Sequence, residues 1–147
     1  MKITIKRFDK TIDLPAYEKR DFLPACFDFK ARTMVTIPPK TIGMIPLNIA
    51  IKIPEGYALM IYPRSSTPLR KGLMAPHSVG ILDSFYCGDQ DEAIYPLYNF
   101  TDQAVTVNRG EILVQAMVIK AEKIEFEEVD HLPDQGVGGY VLEPLEK

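Results

Sequence analysis

The sequence predicts an all-β domain: a sandwich, a jelly roll or a barrel. Three observations carry this. Ile45, Leu47, Ile49, Ile51 and Ile53 occupy every second position, the signature of a strand with one buried face. Short period-two segments recur along most of the chain, separated by Pro, Gly and Asn. Only one place asks for a helix. Many short strands with regular breaks close into layered or barrel-like β architectures.

The elements follow in order. Lys2–Arg7 alternates and is expected as the first strand, and Ala31–Ile37 as the second. Pro38-Pro39 and Pro54-Glu55-Gly56 bracket the isoleucine-rich strand over 45–53. Tyr57–Tyr62 is the next strand. Ser66 or Thr67 is then expected to cap a helix of a turn or two, with Pro68 at its first position and Gly72 at its end. Strands are expected at Val79–Leu82, Ala93–Phe100, Ala104–Val107, Ile112–Ile119 and Lys123–Val129. Asn108-Arg109-Gly110 marks a turn between two of them. After His131 the sequence changes character. Pro133, Gly136, Gly138 and Gly139 give a loop-like tail, so the expected organisation is a β domain over 1–131 and an arm over 132–147.

At 147 residues, with 46% hydrophobic and 25% charged residues, the chain suits one globular domain with its own core. The net charge of −3 and the lack of any Lys/Arg run argue against a nucleic-acid partner. No apolar run reaches the ~20 residues of a membrane-spanning helix, so no membrane partner is expected. The start, Met-Lys-Ile-Thr-Ile-Lys-Arg, lacks a signal-peptide core, which makes a cytoplasmic location the expectation. In that compartment Cys26 and Cys87 read as reduced thiols. Neither cysteine has zinc-ligand spacing with His77 or His131.

Tyr62–Gly88 holds the most chemistry. Arg64, Ser65 and Ser66 stand where the short helix would begin, and a helix start offers unpaired N–H groups to an anion. Residues 79–88 read as an apolar hairpin carrying one carboxylate, Asp83, and one aromatic, Tyr86. Taken singly each signal is weak: such Arg-Ser-Ser segments are commonly solvated turns, and Asp is frequent in turns. Together they suggest a site for a phosphorylated, ring-bearing ligand.

Order and spacing sharpen this. The chain resembles the trimeric dUTPases, whose five short motifs occur in fixed order. Motif one is similar to Ala25-Cys26-Phe27-Asp28-Phe29, with Cys26 where the family usually has Gly. Motif two is Pro63-Arg64-Ser65-Ser66, and motif three is Gly80-Ile81-Leu82-Asp83-Ser84-Phe85-Tyr86-Cys87-Gly88. Motif four is Gly110-Glu111-Ile112-Leu113-Val114-Gln115, with Ile112 at a usual Arg position. Motif five starts as Gly136-Val137-Gly138-Gly139-Tyr140 and then degenerates. Val141, Leu142, Glu143 and Pro144 replace Gly-Ser-Thr-Gly, and Gln135 replaces a usual Arg.

The resemblance implies a jelly-roll-like β-clip domain assembled as a homotrimer, with sites between subunits. It implies Mg2+-dependent hydrolysis of dUTP to dUMP and pyrophosphate. Asp83 would hold and deprotonate the water that attacks the α-phosphorus, and Gln115 would position water and phosphate. Arg64, Ser65, Ser66 and Gln115 would grip the phosphates. Tyr86 would lie against the sugar and exclude a 2′-hydroxyl. Main-chain groups around Val79, Gly80 and Leu82 would meet the uracil, with His77 a candidate contact and Tyr140 a lid over the base. Magnesium would be held mainly by phosphates and water, with Asp28 an outer-shell partner.

Two other readings accompany this one. The degenerate motif five is compatible with a nucleotide-binding or regulatory homologue that binds without turnover. The dCTP deaminases share the Arg-Ser-Ser segment, but their catalytic Glu position is Pro96 here, in Tyr95-Pro96-Leu97-Tyr98-Asn99. Proline can neither hold a water nor carry a proton. Pro96 also predicts an edge or bulged strand.

Overall fold

A computed structural model of the chain describes residues 1–132. Among these, eleven strands and one short helix form: β1 (Thr4–Arg7), β2 (Phe27–Lys30), β3 (Val35–Ile37), β4 (Ile42–Pro46), β5 (Ile49–Lys52), β6 (Tyr57–Pro63), α1 (Ser66–Lys71), β7 (Leu73–Met74), β8 (Gly80–Leu82), β9 (Ile94–Asn99), β10 (Val105–Val107) and β11 (Ile112–Lys120). Every strand pair is antiparallel. A four-stranded sheet runs β2-β11-β6-β8 and a three-stranded sheet runs β4-β9-β7, with β1-β5 and β10-β3 as two-stranded ribbons. The all-β expectation holds.

One core joins these sheets. Phe29, Ile37, Ile45, Ile49, Ile53, Leu59, Ile61, Leu73, Tyr95 and Leu97 are all almost fully buried. Each such aliphatic side chain contributes about 1.5–3 kcal/mol on burial, which offsets the entropy of ordering short strands.

The isoleucine alternation predicted burial correctly but not continuity. Ile45, Leu47, Ile49, Ile51 and Ile53 all face the core. Yet the segment is two strands, because the chain changes sheets at Asn48. That residue adopts φ 70°, a left-handed conformation that Asn tolerates better than β-branched residues do. Its amide then bridges the backbone of Asp9, accepting from the N–H at 2.7 Å and donating to the carbonyl at 3.0 Å. β4 can therefore pair with β9 while β5 pairs with β1.

Other expectations need revision. Phe27–Lys30 is a strand that the sequence pattern left unmarked. Lys123–Val129 is not a strand: Ile124 and Phe126 are exposed, and no neighbouring strand among the described residues covers them. The hairpin over 79–88 does not form. β8 pairs with β6, and the chain then crosses to the β4-β9-β7 sheet. Pro96 lies in the middle strand of that sheet, not at an outer edge. However, β7 covers only Tyr98 and Asn99, so Pro96 has a strand neighbour on the β4 side alone. The missing N–H is tolerated there.

Candidate active site

A bulge places the residues expected to grip an anion. The β11–β2 register slips between Ile112 and Val114. The Leu113 carbonyl is thereby turned toward the start of α1. It accepts the Arg64 N–H at 2.9 Å and the Thr67 hydroxyl at 2.6 Å. Thr67 is buried, so it anchors the helix from inside rather than capping it. Ser65 is the N-cap, and its side chain makes no capping bond. At the other end Gly72 takes φ 65° and donates its N–H to Pro68 at 3.0 Å. A Cβ there would lie 2.1 Å from the Thr101 methyl, so both backbone and space demand glycine.

Across the sheet, Asp28 stands opposite Gln115, which stands opposite Tyr62. Arg64 follows β6 directly. These placements put Asp28, Arg64, Ser65 and Gln115 around one cleft of about 310 Å³, together with Cys26 and Arg20. A second hollow of about 460 Å³ shares Glu18, Asp28 and Arg64 with it. Ser66 begins α1 one residue farther along and does not line this cleft.

Charge in the cleft is mixed. Arg64 lies 3.6 Å from the Asp28 carboxylate and donates to Glu18 at 3.2 Å. Burial pushes the Asp28 carboxyl above the ordinary range, and the Arg64 guanidinium partly opposes this. Burial, then the Asp28 charge, pushes the Cys26 thiol up, which favours its neutral form. Among the described residues the Gln115 side chain makes one long bond, 3.4 Å to the Pro63 carbonyl, so its amide can turn toward a ligand.

Asp83 is elsewhere. The β6–β8 register sets Leu82 opposite Leu59, so Asp83 emerges toward the Tyr57 end of β6, while Arg64 extends from the Pro63 end. At ~3.3 Å per strand residue the two are about 20 Å apart along the sheet. Asp83 is exposed, and its carboxylate accepts the Phe85 N–H at 2.9 Å in a local turn. It lines a separate hollow of about 460 Å³ with Tyr57, Ser84 and Phe85. One chain thus does not bring Asp83 and the Arg64–Ser65 segment together.

The remaining residues gather around Tyr95 and β8. The His77 ring meets the Tyr95 ring edge-on at 5.4 Å, and the Tyr95 hydroxyl donates to the Ser78 carbonyl at 3.1 Å. Gly80 rests on the same ring, where an added Cβ would approach to 3.1 Å. Val79, Gly80 and Leu82 are half-buried, and β8 is the outer strand of its sheet among the described residues. Its outer main-chain edge can therefore serve a ligand. Tyr86 is 40% exposed, and its hydroxyl is held by the Glu92 carbonyl at 2.9 Å. Tyr140 and the motif around it lie outside the described residues.

Comparison with known proteins decides the family. The dUTPase family model matches residues 12–140. The chain belongs to the dUTPase family. It is 34% identical over 145 residues to the deoxyuridine 5′-triphosphate nucleotidohydrolase of Dictyoglomus turgidum, covering 95% of each chain. The crystal structure of the Streptococcus mutans dUTPase matches with a TM-score of 0.73 at 26% identity, covering 83% of this chain and 98% of that one. An aspartate variant of the dUTPase from Staphylococcus aureus phage phi11, which coordinates a structural Mg(II) ion, shares the fold with a TM-score of 0.76 at 17% identity. That match covers 91% of this chain and all of that one. The dUTPase fold is the jelly-roll β-clip expected from the motifs.

The donor set can be weighed against the divalent metal on which dUTPases generally depend. Among the described residues no three His, Cys, Asp or Glu side chains cluster for direct ligation. The cleft at Arg64 instead offers the hard carboxylate of Asp28. This fits magnesium, which keeps its waters and needs few protein ligands. The motifs of the dUTPase family did not point to Glu18, Arg20, Arg32, Asn48 or Glu92. Glu18-Lys19-Arg20 reads as solvated charge in a loop, and nothing local says which cleft that loop borders.

Proposed function

We propose that the chain is a dUTP pyrophosphatase, releasing dUMP and pyrophosphate, and that it works in the cytoplasm as a homotrimer. The observation that carries this reading is the separation of Asp83 from Arg64 along β6. A site with both a water-activating carboxylate and a phosphate grip then requires more than one chain. In this reading Asp83 of one subunit faces Arg64, Ser65 and Gln115 of another.

The chemistry follows from the residue types. Asp83 accepts the proton of a water as that water's oxygen bonds to the α-phosphorus. The bond from the α-phosphorus to its bridging oxygen breaks, and pyrophosphate leaves with the electron pair. Arg64, Ser65 and Gln115 supply donors to the phosphate oxygens. Magnesium, when bound, neutralises phosphate charge, and Asp28 would meet it through water. Tyr86 sits against the deoxyribose, the outer edge of β8 meets the uracil, His77 stands beside it, and Tyr140 covers the base.

Two experiments test this. Pyrophosphate release should be fast with dUTP and magnesium and far slower with UTP or dCTP; no turnover of dUTP sinks the enzyme reading. Asp83→Asn and Arg64→Ala chains should each be inactive alone. When refolded together they should regain part of the activity, because some mixed sites contain both native halves. Failure to complement would refute sites shared between subunits.

A further inference from the structure

Arg20 and Glu18 lie in the irregular segment between β1 and β2, outside every motif that carries the family resemblance. Arg20 Nη2 donates to Glu18 Oε2 at 2.8 Å, and Arg64 Nη2 donates to the same oxygen at 3.2 Å. Two guanidinium groups therefore converge on one oxyanion at the rim of the cleft that also holds Ser65 and Gln115. Arg20, Glu18 and Arg64 are 49%, 44% and 29% exposed at their side chains, so this oxyanion can exchange with solvent ions.

The charge balance gives this arrangement a purpose. A nucleoside triphosphate brings about four negative charges into a site. Arg64 is the only cation among the motif-two and motif-four residues Pro63–Ser66 and Gly110–Gln115. Arg20 is the next guanidinium at the cleft, already oriented toward an oxyanion position shared with Arg64.

We propose that Arg20 is a second phosphate-binding arginine, and that the Glu18 carboxylate holds the place of a phosphate oxygen until the substrate displaces it. This rests on the reading of the cleft as the polyphosphate site. On exchange Glu18 swings to solvent and both arginines donate to the terminal part of the triphosphate chain. Glu18 thereby sets a threshold. An anion must outcompete it for two guanidiniums at once, which favours triphosphate over monophosphate.

Binding of inorganic tripolyphosphate, read by calorimetry on the intact protein, tests the proposal without needing turnover. Arg20→Ala should weaken tripolyphosphate by about tenfold, the scale of one charge-assisted hydrogen-bonded contact. Arg20→Lys should recover part of that loss, and Glu18→Gln should tighten binding several-fold at low salt. Deoxyuridine, which carries no phosphate, should bind all three variants as it binds the wild type. In turnover, Arg20→Ala should raise KM for dUTP more than it lowers kcat. Unchanged tripolyphosphate affinity in both Arg20→Ala and Glu18→Gln overturns the proposal, as does equal loss of deoxyuridine and tripolyphosphate binding. A wild type that binds tripolyphosphate with this Arg20 dependence but does not turn over dUTP would refute the catalytic reading and leave the arginine pair standing.

Discussion

Tyr86 and Glu92 are joined by a bond from the phenol hydroxyl to the main-chain carbonyl, at 2.9 Å. The side chain of Glu92 points the other way, into the protein. There it receives two bonds from Arg32, both 2.8 Å, and one from the Asn48 N–H, also 2.8 Å. A residue proposed to contact the sugar is thus moored beside a half-buried ion pair next to the sheet-switching residue.

Glu92→Ala should therefore act at two levels. It leaves the buried Asn48 N–H without its acceptor and the one-third-exposed Arg32 guanidinium to water, at a cost of about 2 kcal/mol. Chemical denaturation measures that loss. The carbonyl that holds Tyr86 remains in this variant, so discrimination of dUTP over UTP should fall only as far as loss of the Glu92 side chain displaces that stretch of backbone. Conserved discrimination with reduced stability would confine Glu92 to a packing role.

Asp83→Asn keeps the local turn, since the amide oxygen can still accept from Phe85. It removes the proton acceptor. Turnover should drop by about 10²–10⁴-fold, the range of a lost general base, while dUTP affinity changes little. Single-turnover rates and equilibrium binding separate the two quantities. Turnover near the wild-type level would exclude Asp83 as the base.

Asp28 gives a pH signature. Its carboxyl is raised above 3.8 mainly by burial. The folded protein then holds this proton more tightly than the unfolded chain. The associated stability is complete below the unfolded value and is lost as pH rises through the folded one. Asp28→Asn should melt higher than the wild type at neutral pH, with the gap closing in acid. A gap that widens on acidification would show that the Arg64 attraction outweighs burial.

Tyr95 gives the alkaline counterpart. Burial pushes its hydroxyl from 10.0 up to about 12. Its contribution is present below the unfolded value and disappears as pH climbs from 10 to 12. Tyr95→Phe should lose about 1 kcal/mol at neutral pH with the bond to Ser78. It should then show a shallower decline than the wild type across the alkaline range. Parallel declines in the two proteins would place the alkaline transition elsewhere.

Much of this was legible in advance. Period two exposed the strands and their inward faces, because burial on one side of a pleat forces alternation. It could not show that Asn48 divides one run between two sheets, since both strands keep the same inward residues. Ile124 and Phe126 alternate as Ile49 and Ile51 do, yet only the latter have a covering partner within the described chain. Asp28, Arg64, Asp83 and Gln115 stood out through motif order. Their division between two ends of β6 depends on the β6–β8 register, which side-chain patterning does not encode. Glu18, Arg20 and Glu92 look like ordinary surface charge until long-range contacts give each a partner.

The outer edge of β8 has a consequence of its own. If a base is read there, it is read by peptide groups, and every residue except proline presents the same N–H and C=O. Base preference then belongs to the path of the chain and not to its letters. A saturation library over Gly80, Ile81 and Leu82 would sort variants by how they pack on Tyr95 and Leu59, and almost none would learn a new base. Altering the specificity of such a surface calls for a shift of register, an insertion or a proline: edits of geometry in place of edits of chemistry.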